Sequence, residues 1–175
     1  MDAATRDPAR SWEELQIHLA GSFTARIHGF PGTEISLLSP EGEFGRVRRH
    51  GSSNTVFTTG PLNATIEHTG HTCYRMLVGG QPDGAPALIA EPVNRSADAL
   101  EIRVEGRIYG ARASFLRNRA EVRSPEGEEV VRLEGNLTGR RYAAVFSPEA
   151  VSALQIAILL LHHLVIHRGL AFRAG

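Results

Sequence analysis

The sequence predicts a mainly β protein, in which a closed antiparallel barrel surrounds a buried hydrophobic C-terminal helix and a short helix lies at the N-terminus. Three observations predict this fold: strand-like alternation along residues 21–146, turn sequences at intervals of about ten residues, and an almost uniformly apolar helix near the C-terminus. A chain of 175 residues with 42% hydrophobic residues is long enough to bury one sizeable core. We therefore predict a single domain over residues 11–175 and a flexible N-terminus over residues 1–10.

The charge composition limits the classes of partner. Nineteen basic residues balance nineteen acidic ones, and a neutral chain lacks the dominant basic field that non-specific nucleic-acid binding requires. Every basic residue is an arginine. This is typical of a GC-rich bacterial genome, and the alternative explanation is selection for bidentate anion contacts. The lone Cys73 excludes an internal disulfide bond and favours a reducing, cytoplasmic location, free or at the membrane periphery.

A short helix is predicted at the start of the domain. Ser11 can cap it, and Glu14, three residues later, can complete a capping box. Gly21 supplies a stop signal. Residues 1–10 have charges of both signs and no apolar run, so we expect no secretory signal.

The pattern of residues in the middle of the chain predicts strands with one buried and one exposed face. Leu100, Ile102 and Val104 alternate with charged residues, which is the clearest period-two pattern in the chain. Such alternation indicates an antiparallel sheet covered on one side. The same pattern occurs in three other segments: Phe23, Ala25 and Ile27; Leu62, Ala64 and Ile66; Ala120 and Val122.

Turn signals separate these strands at a spacing that favours an all-β barrel or sandwich over βαβ units. They are Pro31-Gly32, Pro40-Glu41-Gly42, Gly79-Gly80, Asp83-Gly84 and Pro125-Glu126-Gly127. Two of them share the sequence Ser-Pro-Glu-Gly, within 37–47 and 121–133, and each is preceded and followed by strand-like residues. We predict two matching hairpins about half a chain apart.

The C-terminal helix is predicted over residues 150–166, with Ser147-Pro148-Glu149 as its cap, first-turn proline and first-turn acid. Its apolar side chains point in nearly every direction, so the helix is buried in a core or in a bilayer. The apolar run is shorter than a membrane span requires. A barrel of many strands has an interior too wide for its own side chains to fill, and this helix would fill it. We therefore predict a core helix, with a tail anchor as the alternative.

The C-terminal segment also carries a resemblance. Antiparallel strands followed by "RLEGNLTGRRYAAVFSPEAVSALQIAILLLHHLVIHR" (132–168) resemble the closing section of the tubby-like superfamily, which includes LURP-one-related proteins and phospholipid scramblases. Tyr142 and Phe146 occupy the aromatic strand positions of that section. The resemblance implies a bacterial member with a barrel of roughly twelve strands around the helix. Only Glu149 stands where scramblases have an acidic calcium-binding segment, so neither calcium nor scrambling is predicted.

The functions that the resemblance implies concern membranes, because tubby domains bind phosphoinositide headgroups. A phosphate site needs clustered donors, for which arginine forks are well suited. The candidates are Arg46, Arg48, Arg49, Arg140 and Arg141. In a strand, Arg46 and Arg48 share one face and Arg49 points the opposite way. The alternative is an ordinary solvated strand surface.

Four polar residues interrupt the apolar helix: Gln155, His162, His163 and His167. The spacing of His163 and His167 would let them share a metal on one helix face, but the glutamate of an HExxH motif is missing. We therefore predict buried, neutral histidines bonded to backbone or water.

A second histidine motif, "HTGHTC", suggests a tight hairpin. A two-residue Thr69-Gly70 turn would pair His68 with His71 and Ile66 with Cys73. His68, His71 and Cys73 would then face one way as a three-ligand metal site at the barrel mouth. We favour the simpler alternative, a polar rim with Cys73 as a small core residue, and predict no metal.

Three classes of function remain from the sequence. We favour a non-enzymatic tubby-like or LURP-one-like binding module that contacts anionic lipid headgroups, a small ligand or a protein partner. The alternatives are a small-molecule enzyme, such as a cyclase or isomerase with a pocket at one end of the barrel, and a tail-anchored membrane protein. The residues predict no cofactor and no nucleic-acid partner, and they define neither a catalytic residue nor an oligomeric state.

Overall fold

The computed structural model describes residues 8–29, 34–50, 54–59, 62–69, 72–79 and 85–171. Twelve strands form one closed antiparallel barrel, and a helix lies at each end of the chain. The elements are α1 (Pro8–His18), β1 (Ser22–His28), β2 (Glu34–Ser39), β3 (Gly42–His50), β4 (Asn54–Thr59), β5 (Leu62–His68), β6 (Tyr74–Val78), β7 (Leu88–Pro92), β8 (Ala99–Val104), β9 (Arg107–Ser114), β10 (Arg119–Arg123), β11 (Glu129–Gly135), β12 (Arg141–Phe146) and α2 (Ala153–Ala171).

The barrel is an up-and-down meander in which each strand pairs with its neighbours in sequence. The barrel closes where β1 pairs with β12, with Phe23 opposite Ala144 and Arg26 opposite Arg141. Closure leaves no sheet edge exposed. The predicted alternation is confirmed, because the apolar residues of the four patterned segments all lie in the buried core.

The helix α2 lies inside the barrel, as predicted. Its side chains from Ala153 to Leu164 are nearly all inaccessible to solvent, whichever way they point. It contacts residues from around the wall: the hydroxyl of Tyr109 on β9 bonds to the segment before the helix, and Tyr74 on β6 bonds to His163. The inner strand faces and the helix therefore form one apolar core. Among the residues that the structure describes, no helix has the length and hydropathy needed to cross a membrane.

The N-terminal helix begins three residues earlier than predicted. It starts at Pro8, so Ser11 lies within the helix and is not its cap. Proline favours the first turn because its fixed φ suits a helix and its missing N–H would have no helical partner there. Residues 8–10 thus belong to the helix and not to a flexible terminus, whereas residues 1–7 lie outside the described residues. The helix ends at His18, and both Ala20 and the predicted stop residue Gly21 adopt left-handed conformations after it, with φ values of +50° and +87°.

The core helix begins later than predicted, and Ser147 is not its cap. The backbone N–H of Ser147 instead donates to the carbonyl of Val130, which extends the pairing of β12 with β11. Residues 148–152 form turns, and Ser152, at φ +55°, precedes the first helical residue. The cap comes from α1, where Gln16 accepts a hydrogen bond from the N–H of Leu154 at 2.9 Å.

The two Ser-Pro-Glu-Gly segments both form the predicted hairpins, but the turns differ in length, because Ser39 pairs with Gly42 whereas the N–H of Ser124 donates to the carbonyl of Glu128. Both the β2–β3 and the β10–β11 ladders contain a register shift near the turn. In each turn the serine hydroxyl accepts a backbone N–H, from Glu41 to Ser39 and from Glu128 to Ser124. The predicted turns at Pro31-Gly32 and Asp83-Gly84, and Gly80 of a third, lie outside the described residues.

The barrel has two unlike ends. At the α1 end, helix α1 covers the opening and α2 begins. At the opposite end, α2 ends among His68, His162, His163 and His167, and we call this the histidine end. The connections β1–β2, β3–β4, β5–β6, β7–β8, β9–β10 and β11–β12 lie there, because consecutive strands of a meander turn at alternate ends.

Candidate functional site

Two of the predicted anion-binding arginines already have carboxylate partners. Arg46 contacts Glu34 at 3.2 Å and Glu43 at 2.6 Å, and the Nε of Arg48 donates to Glu34 at 3.0 Å. Both arginines lie on the outer face of β3, as the alternation predicted. Two glutamates balance the charges of Arg46 and Arg48, so this pair creates only a weak positive potential for an incoming anion.

Arg49 points the other way, as expected. It shares its strand face with the buried Val47 but is itself exposed, so it lies at the rim of the histidine end. Burial lowers the pKa of His68, and the positive charge of Arg49 lowers it further. Arg49 also contributes to the lowered pKa of His162. The arginine therefore belongs to the histidine end and not to the outer surface of β3.

Arg140 and Arg141 meet a third arginine that the sequence analysis did not identify. Arg141 lies directly opposite Arg26 where β12 pairs with β1, and the backbone carbonyl of Arg140 accepts from the N–H of Ile27 at 2.9 Å. All three arginine side chains are exposed, and none forms an ion pair with any residue that the structure describes. We call Arg26, Arg140 and Arg141 the arginine cluster.

The turn that carries this cluster is held by one asparagine. The side-chain oxygen of Asn136 accepts hydrogen bonds from the backbone N–H groups of Arg140 and Arg141, at 3.1 and 3.2 Å. Such a side-chain-to-backbone turn fixes the chain direction after the hairpin tip. The arginine cluster is thus presented by an ordered turn and two paired strands.

The histidine end holds a hydrogen-bonded imidazole pair. The Nε2 atoms of His68 and His162 lie 2.9 Å apart, with the rings perpendicular. One nitrogen must donate and the other accept, so this contact holds a single proton. Burial lowers the pKa of His162 well below its usual value, and the neighbouring His68 lowers it further. The pair is therefore neutral at pH 7.

His163 is fully buried and has two partners. Its Nε2 lies 2.8 Å from the carbonyl of Ala97, which can only accept, so this nitrogen carries the proton. Its Nδ1 then accepts from the hydroxyl of Tyr74 at 2.6 Å. Burial, followed by the nearby His167, lowers the pKa of His163 to about 4, and burial raises that of Tyr74. This arrangement holds a neutral imidazole in one tautomer.

His167 completes the group on the aromatic side. It stacks on Phe115 with ring centroids 5.0 Å apart, and its centroid lies 4.4 Å from that of His163. Burial lowers its pKa. Its buried Nε2 has no hydrogen-bond partner among the residues that the structure describes. The prediction that the helix histidines lie in the core is thus confirmed for His162 and His163, whereas His167 is only partly buried.

The predicted two-residue Thr69-Gly70 hairpin is wrong in register. His68 pairs with Tyr74 and Ile66 with Met76, and the N–H of Thr69 donates to the carbonyl of Cys73. Each of these β5 residues pairs three positions further along β6 than predicted, which removes the expected pairing of Ile66 with Cys73. His71 lies outside the described residues, and Cys73 is half-buried. Within the described ranges, no three His, Cys, Asp or Glu side chains are grouped closely enough to hold a metal.

A groove of about 1230 Å³ opens at the α1 end. Gln155, the first predicted polar residue of the core helix, lines it and is 9% exposed. The charged side chains among the described lining residues are all carboxylates: Glu13, Glu105 and Glu149. No described lining residue is a histidine or an arginine, so this groove offers acidic groups and the opposite end offers cationic ones.

Comparisons with known proteins concern the fold. The sequence matches no protein-family model and no curated protein sequence. The structure is similar to the X-ray structure of a protein from Arabidopsis thaliana, with a TM-score of 0.60 and 12% sequence identity. The match covers 82% of this chain and 91% of that one. This match therefore shows a shared fold, with little sequence similarity between the two chains.

Proposed function

We propose that this chain is a non-enzymatic binding module of the tubby-like type, which holds a phosphate-bearing anion at the arginine cluster. The observation that carries the proposal is the direct opposition of Arg26 and Arg141 on β1 and β12 without a carboxylate partner among the described residues. A lipid headgroup and a soluble phosphate ester would present the same phosphate chemistry to these guanidinium groups.

The contrast with other sheet arginines supports this proposal. Six of them lie within 4 Å of a glutamate, namely Arg46, Arg48, Arg103, Arg119, Arg123 and Arg132. Like charges directly opposite each other on paired strands destabilise the sheet. The Arg26–Arg141 pair therefore costs stability in the free protein, and a bound dianion would remove that repulsion. Arginine forks bind phosphate oxygens in a bidentate manner, which favours phosphate over chloride.

The tubby-like assignment is supported by architecture. The resemblance of the C-terminal segment implied a barrel of roughly twelve strands around a hydrophobic helix, and this chain has that arrangement. Tyr142 and Phe146, which occupy the aromatic positions of the resemblance, face the core and are nearly inaccessible.

The enzyme alternative fits the structure less well. It requires histidine and arginine groups that face a pocket at one end of the barrel. The groove at the α1 end offers carboxylates among its described lining residues, whereas the histidines at the other end are packed against each other and against aromatic rings. We therefore favour binding over catalysis.

Titration calorimetry with inositol trisphosphate, inorganic phosphate and chloride tests the proposal. Wild-type protein should bind the inositol phosphate with an affinity that falls as salt rises. The double variant Arg26→Gln, Arg141→Gln should bind at least roughly tenfold more weakly, because two charge-assisted contacts are lost.

The matched control is the double variant Arg103→Gln, Arg132→Gln, which removes two charges from sheet positions that have glutamate partners. It should bind like the wild type. Equal weakening by both double variants would mean that net charge alone drives binding, and absence of phosphate binding by the wild type would refute the proposal.

A further inference from the structure

We propose that the histidine end docks onto an anionic lipid bilayer, with Leu116 and Leu137 inserted between the headgroups. These leucines are 97% and 96% exposed, more than any other large apolar side chain that the structure describes. Leu116 lies in the β9–β10 turn and Leu137 in the β11–β12 turn. Val93, in the β7–β8 connection of the same end, is 68% exposed. Three successive connections of this end thus expose an apolar side chain.

The two leucine turns are ordered and linked to each other. Asn118 is buried, its side-chain nitrogen donates to the carbonyl of Asn136 at 2.8 Å, and its own carbonyl accepts from the N–H of Gly135 at 2.7 Å. These bonds connect the end of the β9–β10 turn to the start of the β11–β12 turn. The two turns that carry the leucines are therefore fixed relative to each other.

Each turn is also anchored to the core helix. Phe115, next to Leu116, packs against the rings of His163 and His167. The Nη2 of Arg168 donates to the carbonyl of Leu137 at 2.6 Å. In both turns the chain is anchored to α2, while the leucine side chain is exposed to solvent. In the free protein, each leucine exposes apolar surface to water, which is energetically unfavourable. Insertion into an apolar phase would remove this surface from water without a rearrangement of the ordered backbone.

The charges around these tips have the sign that an anionic membrane requires. The described residues of these three connections include Arg95, Arg117 and Arg140 and a single acid, Asp98, which accepts hydrogen bonds from its own turn. The opposite end has the reverse character, since its described turns contain five glutamates and no arginine. These are Glu41, Glu105, Glu126, Glu128 and Glu149. An anionic surface would attract the histidine end and repel the α1 end.

The shape of the tips favours a bilayer over a protein partner. The leucines are separate, convex projections flanked by arginines, whereas a protein interface usually has a contiguous apolar centre with a polar rim. A bilayer accommodates projecting side chains wherever they fall, and arginines beside them reach the phosphates. The docking proposal rests on the proposed function in one respect, namely that the phosphate-bearing ligand is a lipid headgroup.

Vesicle co-sedimentation tests the docking. Wild-type protein should bind phosphatidylcholine vesicles that contain phosphatidylserine more tightly than vesicles of phosphatidylcholine alone. Leu116→Ser and Leu137→Ser should each weaken binding to the anionic vesicles by roughly tenfold, because each variant removes one buried apolar side chain. The matched control is Ile17→Ser, which removes a 63% exposed side chain on α1 at the opposite end and should bind like the wild type.

A fluorescence variant reports insertion directly. Trp12 is the only tryptophan and lies buried near the α1 end, so its emission provides a constant background. In Leu137→Trp, the new indole should shift to shorter wavelength with anionic vesicles and should be quenched by brominated acyl chains. An unshifted, unquenched spectrum on vesicles that do bind the protein would overturn insertion.

The remaining outcomes separate the two proposals. Calorimetric binding of inositol trisphosphate without vesicle binding would overturn the docking and leave the proposed function intact. Vesicle binding that is unchanged in the Leu116→Ser, Leu137→Ser double variant would also overturn the docking. Analytical ultracentrifugation could show that the wild type is a dimer and that this double variant is a monomer. That result would assign the leucines to a protein interface and would overturn the docking.

Discussion

The side chain of Gln16 caps the core helix at Leu154, across a separation of 138 residues, so the first helix of the chain completes the last. Its oxygen accepts the N–H of Leu154, and its nitrogen donates to the carbonyls of Pro148 and Ala150 at 2.7 and 2.8 Å. One amide thus satisfies three backbone groups at the point where α2 enters the barrel, of which the N–H of Leu154 is buried.

Replacement of Gln16 should therefore destabilise the protein. We expect Gln16→Leu to lower the free energy of unfolding by about 2–4 kcal/mol, because buried donors and acceptors lose their partner. Gln16→Glu should also destabilise, since a carboxylate can accept from Leu154 but repels the two carbonyls. Urea denaturation measures both, and Glu13→Gln on the same helix is the control. Unchanged stability in both variants would show that the helix start does not depend on this cap.

The core position of α2 predicts a large cost for shortening its leucines. Leu160 and Leu164 are 0% and 1% exposed, so Leu→Ala at either should cost about 2–5 kcal/mol. Leu137→Ala, at a 96% exposed position, is the control and should change stability very little. Urea denaturation curves for the core variants that overlap the wild-type curve would contradict the enclosed helix.

Gly139 should tolerate an added side chain less well than Gly106. Its φ is +64°, and a Cβ there would overlap the guanidinium of Arg168, which lies over the β11–β12 turn. Gly106 has a similar φ of +75° with open space around it. Both Gly→Ala variants incur the left-handed backbone cost of about 1–2 kcal/mol, but only Gly139→Ala must also displace Arg168. Thermal denaturation should therefore show the larger loss for Gly139→Ala, and equal losses would mean that the contact with Arg168 contributes nothing.

The buried histidines predict a loss of stability in mild acid. The folded pKa values of His68, His162, His163 and His167 all lie below the value near 6.5 of the unfolded chain. The unfolded chain therefore binds more protons below about pH 6.5. Stability is fully present above this pH and is lost as the pH falls toward 4, the folded pKa of His163. Full titration of His163 alone corresponds to about 3 kcal/mol.

Denaturant melts from about pH 8 to about pH 5 measure this slope. The His162→Gln, His163→Gln double variant should lose less stability than the wild type over this range. Ile17→Ser is the control, because it changes an exposed side chain that does not titrate and should keep the wild-type slope. A wild-type protein whose stability is flat from pH 7 to pH 5 would contradict the buried neutral histidines.

The sequence predicted features that depend on local periodicity. Alternation marked the buried faces of β1, β5, β8 and β10, and the apolar circumference of α2 indicated a helix inside the barrel. Both follow from which side chains avoid water, and this information is present within each segment. Local signals also indicated both Ser-Pro-Glu-Gly hairpins.

Features that depend on pairing between distant segments were missed. The helix start was assigned to Ser147 because the true cap, Gln16, lies in another element. The hairpin between β5 and β6 was misplaced because its true pairing is shifted by three residues from the predicted register, and no local signal fixed the length and position of the turn. Arg26 was missed because its proximity to Arg141 arises only when the first strand closes on the last.

The order of elements along the chain also has a consequence for synthesis. The ribosome produces all twelve strands before α2, which is the element that fills the barrel. The strand β1 can pair with β2 early, but its second partner, β12, is synthesised last of all the strands. Until the helix emerges, the inner faces of the nascent strands have nothing to cover them, and such surfaces promote aggregation. The barrel therefore completes its folding after translation of α2, and the nascent chain is expected to need a chaperone in that interval.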